Sequence, residues 1–226
     1  MKKLAPYFLV FSIIFASCSS NENEVLNPKE EKLLQSYTLK RDANGAYSID
    51  FNTTNNTDVS SVINTDRSNQ IILSEVNHKT AVKHSNDYNI ENDHLKIGFL
   101  EANSGKRTNI SIEDENPTFA KGVTEFLKSY SITANGDGTY QIDFKVSKNV
   151  VTDFVYNDDI ETYEVHLSNG NANQRKFSRT LEMNSNDVLK LDFVNHKNIS
   201  RTSSYNQSTD PNKKPQIIIV GHDGYY

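Results

Sequence analysis

Apolar and polar residues alternate strictly in two stretches of the chain. Tyr47, Ile49 and Phe51 are separated by Ser48 and Asp50, and Tyr140, Ile142, Phe144 and Val146 by Gln141, Asp143 and Lys145. A period of two places one set of side chains on a buried face and the other in water, which predicts half-buried strands. Tyr37 and Leu39, and likewise Tyr130 and Ile132, belong to a strand before each. Asn44-Gly45 and Asp137-Gly138 join the members of each pair, because glycine at positive φ makes such dipeptides favoured hairpin turns. Further strands are predicted at Val59–Asn64, Ile71–Val76, Ala81–Tyr88, His94–Leu100 and Thr108–Glu113. Later in the chain they are predicted at Val151–Tyr156, Thr162–Leu167, Arg175–Met183, Val188–Val194 and Ile217–Val220. The 28 asparagines fall largely between these runs, as turn formers do.

The two alternating stretches are copies. Leu34–Phe51 and Leu127–Phe144 share 8 of 18 positions at a constant offset of 93, including Tyr37/Tyr130, Tyr47/Tyr140 and Asp50/Asp143. Asn92–Phe99 and Asn186–Phe193 share 5 of 8 at offset 94, and Arg107-Thr108 and Arg201-Thr202 keep that offset. So long a period is unlike a solenoid or propeller repeat and suits a small domain written twice. The expected fold is all-β: two tandem β-sandwich domains of about seven strands each, at residues 29–115 and 118–226. Asn116-Pro117 marks the joint, since the residue before proline is driven out of helical conformation. Phe119–Leu127 is expected to be a linker turn. The pattern resembles the immunoglobulin-like group of sandwiches, without the Cys…Trp…Cys core of true immunoglobulin domains: the chain has one Cys and no Trp.

The amino terminus has a different grammar. Lys2 and Lys3 precede an apolar run from Leu4 to Phe15, too short to cross a bilayer as a permanent helix, and small residues then lead to Cys18. Phe15-Ala16-Ser17-Cys18 resembles the lipobox of bacterial lipoproteins, with Phe where Leu is usual. The resemblance implies that residues 1–17 are a removed signal peptide and that Cys18 carries the acyl chains, palmitate among them, of an outer-membrane lipid anchor. Residues 18–28 then form a polar tether. As the only cysteine, Cys18 leaves no disulfide open to the chain. A net charge of −5 provides no general basic footprint for nucleic acid.

Catalytic signatures are not apparent. The sequence has no Gly-x-Ser-x-Gly elbow, Gly-rich phosphate loop, His-Glu-x-x-His or Cys-x-x-Cys. His78 and His84 are expected to be solvent-facing and too far apart to share a metal. Asn135–Thr139 opens like a calcium loop, but position 12 is Val146, so a hairpin turn is expected. Asp158, Asp159 and Glu161 form a weak candidate for a surface Ca²⁺. Asp50 and Asp143 are expected on the polar strand face, holding either a structural hydrogen bond or a ligand.

The second copy carries extra chain, Ser203–Gln216, before its last strand. Tyr205 could stack on a flat ligand there, and Lys213 and Lys214 could meet anions, making this the candidate binding loop. The expected function is a non-catalytic envelope lipoprotein presenting two sandwich modules to a protein or polymer partner. The alternative is a glycan-binding accessory lipoprotein of a nutrient-uptake system. A calcium-dependent adhesion module or a hydrolase comes third.

Overall fold

The period-two segments fold as strands in a computed structural model that describes residues 32–90, 93–114, 126–196 and 213–222. In the first copy these are β1 (Leu34–Arg41), β2 (Tyr47–Thr53), β3 (Thr57–Ile63), β4 (Asn69–Glu75), β5 (Lys83–Tyr88), β6 (His94–Glu101) and β7 (Arg107–Glu113). The second copy supplies β8 (Leu127–Ala134), β9 (Thr139–Val146), β10 (Val150–Asn157), β11 (Thr162–Asn169), β12 (Lys176–Glu182), β13 (Val188–His196) and β14 (Lys213–His222). The described chain is all-β, and each copy contributes seven strands. Gly45 and Gly138 have φ of 83° and 90° in the two hairpins, a region that costs glycine nothing.

The strands form two sheets, ordered β12-β9-β8-β1-β2-β5 and β10-β11-β13-β14-β7-β6-β4-β3. Both sheets run through both copies. The boundaries at 29–115 and 118–226 therefore mark two copies but not two separate sandwiches. β1 pairs antiparallel with β8, placing Leu39 opposite its own counterpart Ile132. β7 pairs antiparallel with β14, placing Ser111 opposite Ile218. A pseudo-twofold axis passes through these two pairs. The physical reason lies in the edges. A lone copy would end its sheets at β1 and β7, with unpaired N–H and C=O groups on regular strands, and pairing with the second copy satisfies both rows.

Rings hold the layers together in the same way in each copy. Phe99 on β6 packs on Tyr37 and Phe51 at 5.5 and 5.3 Å, and its counterpart Phe193 on β13 packs on Tyr130 and Phe144 at 5.3 and 5.7 Å. These rings lie in one buried core with Leu39, Ile49, Ile132, Ile142 and the inward residues of β4, β6, β7, β11, β13 and β14. The topology departs from the immunoglobulin-like arrangement: β4 runs parallel to β6, and β11 parallel to β13, where that sandwich is antiparallel.

Candidate functional site

Eight strands face six, so the outermost strands of the larger sheet are only partly covered. The inward positions of β3 follow from its register with the buried Leu73 and Ile71: they are Val59, Ser61 and, two residues on, Ile63. Ile63 is 74% exposed and its neighbour Val62 46%, while inward residues of central strands are fully buried. Between this overhang and edge strand β5 lies a cleft of about 370 Å³, lined by Phe51, Thr57, Val59, Ser61, Thr80 and His84 among others. His84 stacks on Phe51 at 4.9 Å and donates from Nε2 to the Ala81 carbonyl at 3.1 Å. His84 therefore points inward and is half-buried, which corrects the expectation of a solvent-facing side chain; β5 turns that face toward the core because Phe51 lies opposite it in the sheet.

The other end of the sheet differs in chemistry. There the inward residues of β10 include Phe154 and Tyr156, and Tyr163 of β11 lies between them, at 5.9 Å from Phe154 and 4.7 Å from Tyr156. The Tyr163 hydroxyl spans to β12, accepting from the Glu182 amide at 3.2 Å and reaching its carbonyl at 3.4 Å. Tyr156 remains 40% exposed. Its hydroxyl is held above the usual phenol range by partial desolvation, then by the charge of Glu161, by Tyr163 and by Asp158. The acidic turn and the aromatic rings thus form one surface.

A third cluster lies on the outer face of the larger sheet. His166 Nε2 is 2.9 Å from Glu164 Oε2, and His166 Nδ1 is 2.7 Å from Nε2 of His196. With Glu164 accepting from Nε2, a neutral His166 accepts at Nδ1 from His196. His196 is buried at 6% exposure. Registering the copies through their pairing with β6 and β13 places Gln70 and Ile72 at the positions of Glu164 and His166. The cluster belongs to the second copy alone. Thirty residues separate the two histidines, and only the parallel pairing of β11 with β13 brings them together, so no local spacing announced it.

The remaining candidate residues fall as follows. Cys18 and Tyr205 lie outside the described residues. Lys213 and Lys214 open β14, so the inserted segment ends in strand earlier than expected, and both lysines belong to a sheet rather than to a loop. Arg107 starts β7 opposite Leu100, and Val194, the counterpart of Leu100, pairs with Lys213, so the strand registers place Lys213, not Arg201, at the position of Arg107. Asp50 and Asp143 each accept from a serine on the neighbouring strand, Ser85 at 2.6 Å and Ser178 at 2.5 Å, so the pair retained in both copies makes a cross-strand bond. Asp158, Asp159 and Glu161 share one turn, where Glu161 accepts from Asn184. Among the described residues, no three His, Cys, Asp or Glu side chains are grouped to hold a metal ion. Asn135–Thr139 is the hairpin expected, with Asp137 accepting from the Thr139 amide at 2.9 Å.

These features define a duplicated, two-sheet β-sandwich with two chemically different open ends. Comparison with protein-family models, curated proteins and solved structures finds no match to the chain.

Proposed function

We propose that this is a non-catalytic lipoprotein of the bacterial envelope, anchored through Cys18, that binds an extended polypeptide segment of a partner at the β3 end of its larger sheet. The supporting observation is a contrast between edges. The edge strands of the smaller sheet carry charges along their length, Lys83 and Asp87 on β5 and Lys176, Arg179 and Glu182 on β12. Such charges are how proteins blunt a sheet edge against further strands. β3 has a single charge, Asp58, a regular register with β4, and exposed Val62 and Ile63 beside the cleft. A strand added there gains main-chain hydrogen bonds, and its alternate side chains enter the cleft beside Val59 and His84.

The test is a photo-cross-linking residue at position 63 of the lipidated protein in its native envelope, with position 176 on β12 as control. A polypeptide adduct at 63 and none at 176 is the expected result. Equal adducts at both positions, or adducts only to carbohydrate, would overturn the reading. Cys18→Ala is expected to move the protein from the membrane fraction to the soluble one.

A further inference from the structure

At the opposite end of the same sheet, we propose that the shelf formed by Phe154, Tyr156 and Tyr163 is a docking surface for the lysine and arginine side chains of a basic polypeptide segment. The rings are not a requirement of the scaffold. Strand registers place Ser61, Ile63 and Asn69 at the corresponding positions of the first copy, which builds the same sheet without them. The acidic rim is equally one-sided. The β10–β11 turn contains Asp158, Asp159 and Glu161, whereas the β3–β4 turn offsets Asp66 with Arg67.

Charge complementarity selects the occupant. The negative face of an aromatic ring attracts a cation placed over it, and carboxylates at the ring edge add to the same field. The Tyr156 hydroxyl lies within the influence of Glu161 and Asp158, so one side chain could lay its stem on the ring and its charge at the rim. One cation already reaches this turn, Lys190 donating to the Ile160 carbonyl at 3.3 Å, which leaves three carboxylates against one ammonium; Arg179 donates to the Ser178 carbonyl at 2.9 Å. Arginine is the favoured contact, since its planar guanidinium both stacks on a ring and pairs with a carboxylate.

The test uses the full-length lipidated protein in detergent and a fluorescent hexa-arginine peptide, with anisotropy read at about 0.05 and 0.15 M salt. Tyr156→Ala changes no charge, and is expected to weaken binding by about threefold to tenfold through loss of the ring. Tyr156→Leu keeps an apolar side chain and is expected to do the same, so a fold defect in the first variant does not decide the matter. Asp158→Asn with Glu161→Gln is expected to weaken binding and flatten its salt dependence, while Asp66→Asn at the other end changes neither. Unchanged affinity in both Tyr156 variants, equal weakening by Asp66→Asn, or preference for a neutral glucan oligomer over the peptide would overturn the proposal. All the residues tested for loss lie at the end of the sheet remote from β3, so this proposal and the β3 reading fail separately.

Discussion

Tyr130 donates its hydroxyl hydrogen bond to Tyr47 at 3.3 Å, across the seam between the two copies. One repeat away the same bond recurs, from Tyr37 to Tyr140 at 3.4 Å. Four tyrosines identical between the copies are therefore paired between them, each first-strand tyrosine with the second-strand tyrosine of the other copy. The symmetry is broken at Tyr47: it also donates to Asp114 at 2.8 Å, and the same carboxylate oxygen accepts from Arg41 Nε at 2.7 Å.

These tyrosines make the fold sensitive to alkali. Burial, above all, lifts the phenols of Tyr37, Tyr47, Tyr130 and Tyr140 above their ordinary range. In the unfolded chain they ionise near the usual value of about 10. Above that pH the unfolded state has released protons that the folded state keeps, so stability falls as pH rises, by up to about 1.4 kcal/mol per pH unit for each tyrosine. Tyrosinate absorbance is expected to rise for these four only with loss of the β circular dichroism signal. Their smooth titration in an intact fold would contradict the assignment.

The Arg41–Asp114 ion pair is almost wholly buried and ties β1 to the residue after β7. Removing one partner leaves a desolvated charge, so Arg41→Ala is expected to cost about 3–5 kcal/mol in urea unfolding. Arg41→Met combined with Asp114→Leu is expected to recover most of that loss, because the desolvation of both charges disappears with them. A double variant as unstable as the single one would show that the pair itself is net stabilising.

Because both sheets cross the seam, the halves are expected to depend on each other. Expressed alone, residues 29–115 or 118–226 would expose the regular edges of β1 and β7, or of β8 and β14, and are expected to self-associate or aggregate. Expressed together as separate chains, they are expected to co-purify as one complex with a single melting transition. A monomeric half that melts cooperatively would contradict the shared-sheet architecture.

Asp50 is held below the usual carboxylate range by its hydrogen bond from Lys40, then by Ser85. Its contribution to stability is present above the ordinary pKa of about 3.9 and is lost as pH falls through the lowered folded value. The site is solvent-exposed, so Asp50→Asn is expected to cost less than about 1 kcal/mol at neutral pH and to reduce the loss on acidification. A larger cost in urea unfolding would point to a further partner for Asp50.

Strand positions were readable because they depend on nearest neighbours: Tyr47, Ile49 and Phe51 alternate with polar residues, so their strand could bury only one face. The duplication was readable as identities at a fixed offset, and the hairpin turns as Asn-Gly and Asp-Gly. The sequence could not show which strand edges meet, because unpaired N–H and C=O groups are the same on every residue but proline and carry no label of their partner. Tertiary structure alone decided that β1 seeks β8 and β7 seeks β14, joining two expected domains through common sheets. Pairings inside each copy created the sites. His166 and His196 meet through a parallel pairing, Tyr156 and Tyr163 through a hairpin register, and the cleft beside His84 exists because eight strands face six.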